Sequence, residues 1–249
     1  MPKPRLGVAL GCAAGLALAG ALAPRAQQNF DKVEIKTERL TDHIYVLKGA
    51  GGNIGLCVGE DGTFLIDDQF APLTARIKAA VAAVTDRPVR FVLNTHWHGD
   101  HVGGNENLGK AGAVIVAQEN VRKRLSVDQI SNRGGAFIDL STGGSVDGMI
   151  AACDQVLAMV GEKTKIIPGH GPLSDRVGLK TFRDMLAASR ERVRQAIAQG
   201  KTLEQAKAAK LTADYDAAWG GSRFMPPERF VEELYKDLSR KPGSASGSK

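Results

Sequence analysis

Residues 94–101 read Asn94-Thr95-His96-Trp97-His98-Gly99-Asp100-His101 and follow directly on the apolar run Val89–Leu93. That run has the composition of a strand, so the histidines begin where a buried strand ends. In an extended segment, side chains two apart point the same way, and His96 and His98 can hold one ion together. Gly99 permits a tight turn, after which Asp100 and His101 diverge toward a second position. Imidazole nitrogen and carboxylate oxygen are good ligands for Zn²⁺ or a similar divalent cation. The chain has five histidines, and three of them fall in this stretch. It reads as a metal cluster and not as a polar loop.

Of the two remaining histidines, His170 follows a further strand-like run, Thr164–Ile167, in the turn Pro168-Gly169-His170-Gly171. A rigid turn flanked by glycines presents an imidazole outward, and the upstream cluster needs more ligands, so His170 is taken as a ligand too. His43, in Thr41-Asp42-His43-Ile44-Tyr45, reads as structural or surface.

Working outward, Ile44–Lys48, Ile54–Val58 and Thr63–Ile66 are short β-prone runs separated by turn clusters at 49–53 and 59–62. Leu73–Val84 has helical apolar spacing, and Ala113–Ala117 is one more strand. Ser145–Val160 reads as a helix with Ser145 as its N-cap. Helices are expected over Leu179–Gln199, Leu203–Lys210 and Pro227–Leu238. Strands and helices alternate early and helices dominate late, which is an α/β (α+β) pattern.

The 249 residues, 43% hydrophobic and 24% charged, suit a soluble globular protein able to bury its own core. The formal charge of +6 owes much to Lys3, Arg5, Arg25, Arg240, Lys241 and Lys249 near the two ends. No Lys/Arg run is interleaved with aromatics, so no nucleic-acid partner is indicated. Lys3 and Arg5 precede an apolar or glycine run from Leu6 to Ala23, the pattern of a secretory signal over residues 1–26. The competing reading is a membrane anchor, but Ala and Gly insert weakly, and stable insertion is not expected after cleavage at Ala26. Export places the protein in the periplasm or outside the cell. Cys57 and Cys153 sit in apolar contexts and read as two buried thiols. Residues 27–240 are expected to form the folded domain, and 241–249 a disordered tail.

With these residues in view, the sequence resembles the metallo-β-lactamase-fold hydrolases. The resemblance runs from about Asn29 to Leu238. It rests on Phe64-Leu65-Ile66-Asp67-Asp68, on the stretch from Asn94 to Asn105, and on the stretch from Lys165 to Pro172. It implies a four-layer αββα sandwich with metals at the sheet edge. Residue by residue, it places His96 and His98 in a first metal site, and Asp100, His101 and His170 in a second. The family's third histidine for the first site, and the aspartate that bridges both metals, have no counterpart here. No histidine lies between His101 and His170. Val121–Asp128 resembles the helix before the missing part, and 136–144 resembles the segment after the bridging aspartate, so Asp139 reads as a loop residue. The second sheet is accordingly expected to be incomplete.

A first site of two imidazoles is a weak one. The second keeps three ligands and an open position, the usual pattern of a catalytic zinc. The resemblance thus implies a secreted zinc-dependent hydrolase, with one or two Zn²⁺ ions, using a metal-bound hydroxide on an ester, thioester, lactone or amide bond of a small molecule. Asp100 is the catalytic candidate, orienting the water as well as ligating. The alternative is a family member that binds metal but is catalytically impaired. A purely structural zinc site is disfavoured by the open glycine-rich surroundings, Gly99, Gly103 and Gly104. A nuclease would carry an added basic domain. An iron-dependent redox member would need the missing histidine and aspartate.

Overall fold

The computed structural model describes residues 29–125, 138, 140, 144–220 and 225–240. The signal segment, Asp128, Asp139 and the tail from 241 lie outside the described residues. Six strands form one sheet in sequence order: β1 (Lys36–Arg39), β2 (Ile44–Lys48), β3 (Ile54–Gly59), β4 (Gly62–Ile66), β5 (Val89–Asn94) and β6 (Val114–Ala117). The first four pair antiparallel through short turns, whereas β4–β5 and β5–β6 are parallel. Parallel neighbours need a crossover, and helices supply it. The connection from β4 to β5 carries α1 (Thr74–Ala82), and that from β5 to β6 carries α2 (Gly99–Val102) and α3 (Asn105–Lys110).

Strand alternation sets what each face of the sheet meets. Leu56, Leu65 and Val92 point to one face, where Leu73, Ile77 and Val81 and then Leu108 of α3 bury them in a first core. On the opposite face Phe64 and Phe91 stack at 5.1 Å, while Leu93, Val114 and Val116 stay 36%, 54% and 43% exposed. In a sandwich that face is covered by a second sheet. Among the described residues the second sheet is only β7 (Lys165–Ile166) paired antiparallel with β8 (Ser174–Asp175). β6 leads into α4 (Glu119–Leu125).

The C-terminal part is helical: α5 (Val146–Met159), α6 (Arg176–Ala198), α7 (Leu203–Ala208), α8 (Ala213–Trp219) and α9 (Pro227–Leu238). Ser145 is the N-cap of α5, its side chain accepting from the Gly148 N–H. Helix α6 begins three residues earlier than its apolar periodicity suggests, because Asp175 caps it by accepting from the Gly178 N–H. Ile150, Met185, Leu186, Val193, Val231 and Leu234 make a second core distinct from the first. Cys57 and Cys153 are free thiols, and Cys57 is half-buried where full burial was expected, because it lies on the open face of the sheet. No helix among the described residues is long and apolar enough to cross a membrane.

Candidate metal centre

Strand β5 ends at Asn94, the chain bends at Thr95 and His96, and His98, whose own backbone is extended (φ −66°, ψ 143°), opens the single turn of α2. Asp100 and His101 therefore leave a helical turn, and both are buried. His96 Nε2 lies 3.0 Å from His98 Nδ1, and the two form the pair that their spacing predicts. Asp100 and His101 instead meet His170. His101 Nε2 and His170 Nε2 are 3.0 Å apart, and Asp100 Oδ2 is 3.5 Å from the first and 3.3 Å from the second.

With its lone pairs turned inward, such a trio would hold a cation among the three atoms, which relieves their mutual repulsion. Zinc with bonds of about 2.0–2.1 Å in tetrahedral geometry sets its ligand atoms about 3.3–3.4 Å apart, close to what is found. Asp100 supports the fit independently: it is 2% exposed, and neither carboxylate oxygen receives a hydrogen bond. A buried carboxylate without partners is costly unless a cation neutralises it. The donor set thus suits a divalent metal.

Two aspartates from the end of β4 fix this arrangement. Asp67 Oδ2 accepts from His101 Nδ1 at 2.7 Å and from Thr95 Oγ1 at 2.7 Å, and Oδ1 accepts from the Thr95 N–H at 2.8 Å. The bond from Nδ1 settles the tautomer of His101, leaving the lone pair on Nε2, toward Asp100 and His170. Asp67 also comes within reach of a grouping with His96 and His101, but its oxygens are already engaged and it acts as the orienting carboxylate. Asp68 Oδ1 accepts from the Gly104 N–H at 2.8 Å, holding the turn after α2. Burial raises its carboxyl to about 7, against the lowering effect of that N–H. Burial also lowers His96 to about 4, helped by the neighbouring imidazoles of His101 and His98, which keeps it neutral. His170 is lowered by burial, partly offset by the Asp100 carboxylate.

The backbone is distorted beside the site. Asp67 (φ 65°) and Gln69 (φ 56°) both take left-handed conformations, which non-glycine residues rarely adopt. Gln69 is buried and donates to the Gly52 carbonyl.

All five histidine and aspartate positions singled out from the sequence converge here. His96 pairs with His98, and Asp100, His101 and His170 form a trio, with the His96 and His101 rings 4.1 Å apart. His43 is away from the centre, its Nδ1 3.2 Å from the Val58 carbonyl. Sequence reasoning assigned no role to Asp67, Gln69 or Asn53; the pair of acids ending a buried strand was the one signal for Asp67. A cavity of about 1700 Å³ opens beside the centre. Trp97, His98, His170, Phe182, Met185 and Trp219 are among the residues that line it.

Residues 47–181 match the metallo-beta-lactamase superfamily, and the chain belongs to it. The curated relatives that it matches in part are named as hydrolytic enzymes. A hydroxyacylglutathione hydrolase from Erythrobacter litoralis (strain HTCC2594) is 30% identical over 86 residues, which is 31% of this chain and 34% of the relative. An alkyl/aryl-sulfatase from Saccharomyces cerevisiae is 32% identical over 79 residues, 30% of this chain and 12% of the relative. The chain thus spans about a third or less of the length of these curated relatives. Among solved structures, the metallo-beta-lactamase FIM-1 from Pseudomonas aeruginosa in its mono-zinc form aligns with a TM-score of 0.51 at 16% identity, covering 62% of this chain and 96% of that one. The metallo-beta-lactamase DIM-1 gives 0.52 at 14% identity, covering 63% and 99%. These likenesses establish the fold.

Proposed function

We propose that this protein is an exported zinc hydrolase of small molecules, cleaving an ester, thioester, lactone or amide bond at the trio Asp100, His101 and His170. The observation that carries the reading is the convergence of Asp100 Oδ2, His101 Nε2 and His170 Nε2 at 3.0–3.5 Å around a carboxylate that has no other partner. A divalent ion held by these three supplies Lewis acidity toward a scissile carbonyl and toward water. The residues of the chain do the rest. Asp100 turns Oδ2 toward the imidazoles, and as a ligand it would also orient the attacking water. Asp67 keeps His101 in one tautomer throughout. Substrate enters from the cavity, whose lining includes Trp97 and His170 together with the apolar Phe182 and Met185. No nucleic-acid partner is part of this reading, and residues 1–26 serve as its export signal.

The test is metal analysis of the purified full chain together with hydrolysis of a panel of esters, thioesters, lactones and β-lactams. One zinc per chain with turnover, both lost in His170→Ala, is the expected result. Metal binding without turnover on any of these bonds would sink the enzyme reading. It would favour the second one, a metal-binding but catalytically impaired family member. One observation favours that alternative: His96 and His98 form a pair with no third histidine available between His101 and His170. Two zincs with turnover would show instead that the pair recruits a further ligand.

A further inference from the structure

Asn53 lies in the loop joining β2 to β3, in the stretch Gly49-Ala50-Gly51-Gly52-Asn53, far in sequence from every histidine of the chain except His43. It nonetheless grips the turn that carries His170. Its backbone N–H donates to the Gly169 carbonyl at 2.8 Å. Its side-chain Nδ2 donates both hydrogens, to the Pro168 carbonyl at 2.8 Å and to the Gly171 carbonyl at 2.9 Å. One residue thus holds carbonyls on both sides of His170. The preceding glycines complete the contact with the other two members of the trio. The Gly52 N–H donates to the Asp100 carbonyl at 3.3 Å, and a Cβ on Gly52 would fall 2.2 Å from His101 Cε1. The loop touches all three ligands at once.

We infer that Asn53 is a positioning residue that sets His170 against Asp100 and His101, with the Gly51–Asn53 backbone as the template on which the trio is assembled. This rests on the ligand set proposed above. The reason lies in the short second sheet: a two-residue strand such as β7 provides little ladder to fix the turn after it, so the turn is held from outside. An amide is the side chain suited to the task, because it offers two N–H groups to two carbonyls. A carboxylate of the same shape offers none and would face both carbonyl oxygens.

The test uses the full chain and zinc ion alone, titrated in competition with a chromophoric chelator. Loss of a group that orients a metal ligand costs about 10–100-fold in metal affinity. That loss is expected in Asn53→Ala and in the isosteric Asn53→Asp, while the unfolding midpoint of the metal-free protein stays close to that of the parent. In a His170→Ala background, Asn53→Ala is expected to cause no further loss, since its effect runs through the missing imidazole. Parental zinc affinity in Asn53→Asp, alongside a weakened His170→Ala, overturns the inference and leaves the ligand set standing. An equal further loss in the His170→Ala background overturns it as well, because the effect is then one of general stability. If His170→Ala itself binds zinc like the parent, the ligand set is wrong and the inference falls with it.

Discussion

The sheet-bearing half of the chain, residues 29–125, and the helical half, residues 144–240, bury different kinds of groups. In the sheet half Thr63, Asp67, Asp68, Gln69, Thr74, Asn94, Asp100 and His101 are buried polar residues. In the helical half, among the described residues, only Ser189 and Thr212 are. Its core is otherwise leucine, valine, isoleucine, alanine and methionine. Its charges are at the surface, where Arg183 pairs with Asp154 and Arg192 with Asp214. Exposed pairs of that kind contribute about 0–1 kcal/mol each. The comparison teaches a division of labour. The helical half is built for stability, and the sheet half accepts buried polar groups and a strained turn in order to aim side chains. His170, on the link between β7 and β8, is a residue of the helical half that completes the site of the other.

The largest effect that should separate the two halves is a cavity in the second core. Leu186→Ala is expected to cost about 2–5 kcal/mol in urea unfolding, with zinc affinity unchanged; a parallel loss of affinity would break the division. Next comes Asp67→Asn, which replaces an all-acceptor group by one whose NH₂ faces donors from Thr95 and His101. Zinc affinity should fall about 10–100-fold by chelator competition, and unchanged affinity would mean that Asp67 does not orient His101. Gly52→Ala comes third, because its Cβ must displace the His101 ring. Overpacking of this sort costs about 1–3 kcal/mol, and here thermal stability and zinc affinity should drop together. The smallest is Ser145→Ala, the loss of one N-cap on α5, expected at about 1 kcal/mol in thermal melting with metal binding untouched.

Much of this was legible in the sequence, and the remainder was hidden for physical reasons. The strand Ile44–Lys48 and the helix Pro227–Leu238 coincide with the spans read from apolar spacing, and the N-cap at Ser145 was read correctly. Strand β1 was missed because Lys36-Thr37-Glu38-Arg39 is fully exposed at the sheet edge and shows no alternation. Strand β8 is too short to have a period, and α8 lacks a side-chain cap to announce it. The ligand candidates stood out because their chemistry is local to one short stretch and one turn. Asn53 and Gln69 could not be found that way: Asn53 acts on carbonyls 115 and 118 positions along the chain. Gln69 bonds a carbonyl 17 positions back from a left-handed backbone that its residue type does not advertise.

The separation of His101 from His170 along the chain, 69 residues, bears on how the metal and the folded state depend on one another. An unfolded chain must close that whole loop before the two imidazoles meet, at an entropic cost of about 4 kcal/mol by the chain-closure relation. His96 and His98, two positions apart, need almost no loop closure to meet in the unfolded chain. An ion taken up by the pair alone would bind both states and leave their balance where it was. An ion taken up by the trio binds the folded state selectively and shifts the balance by mass action. A chelator that took an ion from the trio would therefore lower the stability of the folded state, and one that took an ion only from the pair would not.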